Sequence, residues 1–224
     1  MQKGDGGVSD GIRVRNADLV RRALVESNGL ESRDEDGRTP LLQAALLGYE
    51  EIVSEILRHG PDLEARDDDR DTALMLASNV GRSGIVSQLL RAGALPDGSG
   101  PFPKDTALMA ASRNNPDCVE ILLAAGAELN GQNDSGATAL IEAVHGNSLE
   151  CLKLLIRAGA NVNLRDSLGR TALLLAVASA REGHCRSLLE AGADPNLRDN
   201  DGVSPRMLAR ESESEAIRNC LNNG

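Results

Sequence analysis

GRTALLLAVASAREGHCRSLLEAGADPNLRDND, residues 169–201, carries the pattern that decides the fold. Thr171 stands where an N-cap belongs, since its hydroxyl can accept one of the backbone N–H groups that a helix start leaves unpaired. Ala172–Ala178 then reads as a short helix. Leu188 and Leu189 belong to a second helix that Gly192 ends, because glycine tolerates the left-handed conformation just past a helix C-terminus. The stretch 193–202 is rich in Asp, Asn, Pro and Gly, the residues of turns. Two helices of about 8–10 residues and a loop are too short to be stable alone. The unit needs neighbours.

The chain supplies them at a fixed period. Gly60, Gly93, Gly126, Gly159 and Gly192 are spaced 33 residues apart, as are Ala44, Ala77, Ala110, Ala143, Ala176 and Ala209. A third column at the same spacing runs Ile56, Leu89, Leu122, Leu155, Leu188 and Leu221. Three columns sharing one period specify a solenoid, in which stacked units bury one another's apolar faces and small alanines let helices approach closely. Composition agrees. Of 224 residues, 41% are hydrophobic but only 1% aromatic, with one Phe, one Tyr and no Trp, so the core volume comes from aliphatic side chains in many similar layers.

The same counts exclude several functions. Lys and Arg number 24 against 34 Asp and Glu, a formal charge of -10, whereas a nucleic-acid binder needs a basic face. No apolar run approaches the ~18 residues of a membrane span, and the opening MQKGDGGVSDG lacks a secretory signal's apolar stretch. Four cysteines without a CxxC pair give neither a zinc site nor a small disulfide scaffold, which points to a reduced cytoplasmic or nuclear setting.

The runs DEDGRTPL (34–41), Gly48-Tyr49, GANVN (159–163) and GADPN (192–196) together resemble the ankyrin repeat, whose pattern is a D-x-x-G-x-T-P-L finger, a first helix, G-H-x-E, a second helix and G-A-D-x-N. The resemblance covers residues 6–224 and implies an all-α repeat solenoid, each unit a β-hairpin-like finger plus two antiparallel helices. The expected organisation is a flexible leader (1–5), an N-terminal capping repeat (6–38), five repeats (39–71, 72–104, 105–137, 138–170, 171–203) and a C-terminal capping repeat (204–224). The first unit keeps a second helix (16–26) but shows only polar, Gly-rich sequence where a first helix belongs. The last carries Glu211, Glu213, Glu215 and Arg218, as an end face exposed to water requires. The histidine of the family's T-P-L-H is replaced by Leu42, Met75, Ile141, Leu174 and Met207.

One unit is irregular. Counting by 33 places a Thr at 105, but Asp105 is there and Thr106 follows; the finger before it, PDGSGPFPKD, holds Pro96, Pro101 and Pro103. Either Asp105 takes over the cap, or a one-residue bulge in the finger is recovered inside the helix. Since proline donates no backbone hydrogen bond, a displaced finger and a local weak point are expected here.

Candidate chemistry is sparse. Cys118 and Cys151 occupy equivalent places on neighbouring second helices, whose axes lie ~8–10 Å apart, too far for a disulfide. With Cys185 and Cys220 they read as small buried hydrophobes. His59, His145 and His184 hold three different register positions and cannot converge on a metal or a nucleophile, and no catalytic or phosphate-binding motif is present, so neither an enzyme nor a cofactor is expected. Tyr49 replaces the family's His and reads as structural. Asn130, Asn163 and Asn196 lie where the family permits hydroxylation, and read as turn hydrogen-bonders.

The charge is uneven. Residues 62–71 hold six acids and two arginines, a net of -4. Asp67 matches the family's structural finger Asp, with Asp34, Asp166 and Asp199; the rest form a solvated finger or an acidic patch for a basic partner. The resemblance implies that finger tips and first helices line a concave ligand surface, spanning ~60–70 Å over seven units, ample for a protein interface of ~800 Å² per partner. Partner contacts are therefore expected from Glu35, Asp36, Asp68, Asp69 and Asp71 by charge. Phe102, Leu46, Leu47 and Val80 are the apolar anchors, with Arg38, Lys104 and Arg113 flanking them. Phe102 either anchors a partner or folds back onto its own hairpin. The expected function is a non-enzymatic adaptor or scaffold that is a monomer on its own and binds a protein partner, with no nucleic-acid or membrane role. A dedicated inhibitor or immunity-type protein blocking a basic enzyme is the alternative.

Overall fold

The structure, a computed structural model, describes residues 7–26, 29–98, 105–212 and 214–222. Phe102, Lys104, the bulk of the proline-containing finger and the leader 1–5 lie outside the described residues. Seven helix pairs follow one another: α1 (Val8–Arg13) and α2 (Ala17–Glu26), α3 (Pro40–Leu47) and α4 (Glu50–Leu57), α5 (Ala73–Asn79) and α6 (Ser83–Ala92), α7 (Ala107–Ser112) and α8 (Pro116–Ala124). Then come α9 (Ala139–His145) and α10 (Leu149–Arg157), α11 (Ala172–Ala178) and α12 (Glu182–Glu190), and α13 (Pro205–Glu211) and α14 (Glu215–Asn222). First helices pack on first helices of adjoining units and second helices on second helices.

The columns explain why. Ile56, Leu89, Leu122, Leu155, Leu188 and Leu221 are all buried, none more than 2% exposed. The glycines that end the second helices have φ between +67° and +102°, a region that costs an L-residue about 1–2 kcal/mol. Five first helices start at a capping Thr or Ser: Thr72, Thr106, Thr138, Thr171 and Ser204 accept the N–H three residues on. At the far end the buried column Leu41, Leu74, Leu108, Leu140 and Leu173 becomes half-buried Arg206, and Met207 is 43% exposed where Leu42 is 0%.

Three expectations are corrected. The first unit has a first helix: α1 places Val8 and Ile12, four residues apart, on one buried face, and Gly11 lets its backbone approach Val20, where a Cβ would stand 2.9 Å away. Packing against α2 and α3 outweighs the weak local propensity of a six-residue helix in which only Val8 and Ile12 are apolar. In the fourth unit Thr106, not Asp105, is the cap. The extra residue is recovered not inside the helix but at the turn after it. In five units the second-helix N-cap N–H bonds back five residues, as in Tyr49 to Ala44 and Arg82 to Ala77, across a left-handed residue (Arg15, Gly48, Gly81, Asn147 or Ala180); in the fourth, Asn115 bonds back only four, to Ala111. Ala111, 0% exposed, therefore fills the alanine column in place of Ala110.

The fingers form no named strand among the described residues; one bridge pairs Arg165 with Thr171. Each is instead closed on its leading Asp or Asn. In the finger 166–170 the Asp166 N–H donates to the Arg170 carbonyl (3.0 Å), while Asp166 Oδ1 accepts from Leu168 and Arg170 N–H at 3.0 and 2.8 Å. Asp34, Asp67, Asn133 and Asp199 do the same for Arg38, Asp71, Ala137 and Val203.

Candidate protein-interaction face

Adjacent fingers are tied into a rigid rank. The N–H groups of Asp68, Ser167 and Asn200 donate to carbonyls of the preceding finger (Asp36, Ser135, Leu168) at 2.9–3.1 Å. A second ladder, unseen in the sequence reading, uses the residue before each finger Asp. Arg33, Gln132 and Arg165 each donate to their own finger's glycine carbonyl and, at 2.6, 2.9 and 2.7 Å, to the carbonyl 33 residues on. Their signal was the column Arg33, Arg66, Gln132, Arg165, Arg198. A third ladder joins the loops. Glu31, Glu64, Asp97, Asn130 and Asn163 accept the N–H groups of Asp62, Leu95, Glu128, Asn161 and Asp194 at 2.8–2.9 Å. Asn130 and Asn163 are thus hydrogen-bonders between units, and Asn196 bonds to Asp194.

On this rank the acids fall into two groups. Asp34 and Asp67 face inward as finger closers, Asp67 only 6% exposed. Glu35, Asp36, Asp68 and Asp69 are exposed, and Asp71 is half-buried. Arg38 bridges inward, 2.7 Å from Asp36 and 3.5 Å from Asp67. The tip of the second finger departs from its siblings: Arg70 occupies the glycine position at φ +70°. Elsewhere the next finger presses on that glycine, so that a Cβ on Gly37, Gly136 or Gly169 would stand 3.1, 2.7 or 2.9 Å from a backbone nitrogen of the next finger. Arg70 precedes the irregular finger, and Gly202 has nothing within 4 Å. Among the described fingers only this one carries a side chain at that position.

The apolar candidates end the first helices. Leu46 is half-buried against the core, while Leu47 and Val80 are 45% and 36% exposed. Val14, one period before Leu47, is 64% exposed and was missed because no first helix was expected there. Arg113, the next in the column, is committed internally: its Nη2 lies 2.6 Å from Asp105 and its Nε 2.9 Å from the buried Glu142, with Asn133 holding the other Asp105 oxygen at 2.7 Å. Burial alone would raise the Glu142 carboxyl, but His145 and Arg113 hold it below the usual carboxylate value.

Nothing assembles a catalytic centre among the described residues. His59 and His145 sit beside Glu55 and Glu142 at 3.6 and 3.7 Å, His184 is buried in α12, and no group of His, Cys, Asp and Glu could hold a metal. All four cysteines are free; burial pushes Cys118 to about 11 and Cys185 to about 12, so these thiols are unreactive. Tyr49 is half-buried with the Arg15 guanidinium 5.2 Å over its ring. Among the described residues no helix is long and apolar enough to cross a membrane.

With this geometry in view, a family model of ankyrin repeats, in three copies, matches residues 12–99 and 107–199. The chain belongs to the ankyrin repeat family. The break between the matches falls on the irregular finger. The ankyrin repeat domain of Bcl-3, described as a unique member of the IkappaB protein family, is 27% identical with a TM-score of 0.82, covering 99% of this chain and 100% of that one. The human ASB11 ankyrin repeat domain shares the fold, with a TM-score of 0.85, 20% identity and 96% coverage of each chain. No curated protein sequence matches. Ankyrin repeat domains are generally protein–protein interaction modules.

Proposed function

We infer that this ankyrin array is a non-enzymatic adaptor, a monomer in the cytoplasm or nucleus that binds a protein partner with a basic surface. The observation that supports this is the set of exposed acids, Glu35, Asp36, Asp68 and Asp69, held on hydrogen-bonded fingers on the same units as exposed Leu47 and Val80. Fixed charges steer a partner without paying ordering entropy, and favour fast, salt-sensitive association. Arg38, Asp71, Phe102 and Lys104 flank this surface in sequence; Arg113 supports it from within.

The test is cross-linked capture from native lysate, with the wild-type array and the Asp68→Asn/Asp69→Asn variant as baits. A partner that cross-links to the finger and first-helix face, and is weakened by the variant, supports the reading. A partner mapped to the second-helix face, or none, overturns it. If the captured partner is an enzyme that loses turnover at a 1:1 ratio, the array is an inhibitor rather than an adaptor.

A further inference from the structure

Val14, Leu47 and Val80 form a column with a period of 33 residues, 64%, 45% and 36% exposed, each at the C-terminal end of a first helix. Scattered surface aliphatics are ordinary, but three in register on consecutive units make a continuous ridge. It stops there. The same place holds Arg113, neutralised by Asp105 and Glu142, in the fourth unit, and then Gly146, Ser179 and Ser212. The exposed finger acids are densest in the same part of the array: residues 33–38 carry a net charge of -1 and 62–71 a net of -4, half of the chain's -10, while the later described fingers expose single acids, Asp134 and Asp201.

We propose that this ridge and the finger acids beside it dock one amphipathic basic α-helix of a partner protein, lying across the first three units. The inference rests on the interaction-module reading and adds the partner's chemistry and register. The spacing selects a helix. Packed helices of adjoining units lie ~8–10 Å apart, and seven residues of α-helix rise about 10.5 Å, so apolar residues a heptad apart meet Val14, Leu47 and Val80 in turn. Extended strand rises about 3.3 Å per residue with alternating faces, and the three-residue step that covers one unit turns every second contact away. The width fits as well. An eight-residue first helix such as α3 carries the chain about 12 Å from finger to ridge, the breadth of one helix with its side chains. A helix seated on the ridge therefore presents its flank to Glu35, Asp68 and Asp69. Its basic residues belong on that flank, away from Arg13 and Arg15 beside Val14.

The probe is a designed peptide of about 18 residues with Leu at heptad spacing and Lys on one flank. Two controls accompany it, one with Glu for Lys and one with a central Pro, and binding to the whole array is followed by fluorescence anisotropy. The Lys peptide should bind, and both controls should bind at least about tenfold more weakly. Leu47→Ser with Val80→Ser, which remove apolar area without adding charge, should weaken the Lys peptide by about 10–100-fold without changing its salt dependence. Glu35→Gln with Asp68→Asn and Asp69→Asn should weaken it and flatten the salt dependence. Leu168→Asp, on an exposed finger tip two units beyond the ridge, should change nothing. All variants must keep wild-type circular dichroism and melting.

Equal binding of the proline peptide, or indifference to Leu47→Ser with Val80→Ser, overturns the helix-on-ridge assignment. If the lysate partner nonetheless maps to the finger and first-helix face, the interaction-module reading stands and only the helical register fails. If it maps nowhere on that face, the broader reading fails too.

Discussion

Removing the glycine from a finger tip tests how the fingers support one another. Gly136 and Gly202 occupy the same turn position with φ +72° and +81°, so an alanine at either incurs the left-handed strain of about 1–2 kcal/mol. Restricting the unfolded chain offsets about 0.4–1 kcal/mol of it. Gly202→Ala meets no atom within 4 Å and should therefore cost only ~0.5–1 kcal/mol. At Gly136 the new methyl would stand 2.7 Å from Ser167 N and 3.0 Å from Asp166 C, both backbone atoms, so the next finger must move. That displaces the 2.9 Å bond from Ser167 N–H to the Ser135 carbonyl, worth about 0.5–1.5 kcal/mol, and adds contact strain. The total for Gly136→Ala is ~2–3 kcal/mol. Arg70→Gly runs the other way: it releases strain already present at φ +70° and should stabilise by ~0.5–1 kcal/mol. Urea unfolding followed by far-ultraviolet circular dichroism reads all three, since the chain has no Trp. Equal losses for Gly136→Ala and Gly202→Ala would refute the argument that successive fingers brace one another. A lower midpoint for Arg70→Gly would show that the Arg70 side chain holds the finger instead of straining it.

Four further outcomes are expected. Arg113→Ala should destabilise by ~2 kcal/mol near neutral pH by leaving the buried Glu142 with only His145 beside it, and the loss should shrink as acid protonates that carboxyl, measured by melting from about pH 7 to pH 4. His184 is held below its ordinary 6.5 by burial and by Arg181, so the unfolded chain takes up the proton first; stability should fall as pH drops below 6.5 and level off beneath the folded value, and His184→Leu should lose that slope. Asn163→Ala should cost about 1 kcal/mol through the lost bond from Asp194 N–H at 2.8 Å, read by thermal unfolding. A thiol reagent should label half-exposed Cys220 first in the native protein and reach Cys118, Cys151 and Cys185 only on unfolding, as peptide mass mapping will report.

The sequence reading succeeded where one residue answers to one local requirement. A glycine past a helix end, a leucine facing two neighbours and a threonine at a cap recur every 33 residues because each unit poses the same local problem. It erred where two distant segments decide together. Residues Val8–Arg13 are a poor helix by propensity and fold as one because α2 and α3 present an apolar surface to Val8 and Ile12. The offset at Thr106 was visible, but Ala110 and Ala111 are both alanine, so only the turn geometry shows which one lies in the column. Of the candidate site, the acids and Leu47 with Val80 were legible from register. The internal engagement of Arg113 was not, because Glu142 comes from the next unit and no local pattern pairs them.

The absence of aromatics bears on how the array can bind. Interface energy usually concentrates on Trp, Tyr and Arg anchors in desolvated pockets. Among the described residues this chain has one aromatic, Tyr49, already half-buried beneath Arg15. Its exposed resources are aliphatic side chains and carboxylates on braced fingers. Each aliphatic contact yields only about 1–2 kcal/mol, so useful affinity requires several in register and a partner long enough to span units. The carboxylates add more to association rate and selectivity than to depth of binding, because an exposed pair is worth about 1 kcal/mol or less. A surface so built should form complexes quickly, release them readily and weaken in high salt. That behaviour suits reversible tethering better than permanent blockade, which is the physical reason for preferring the adaptor to the inhibitor.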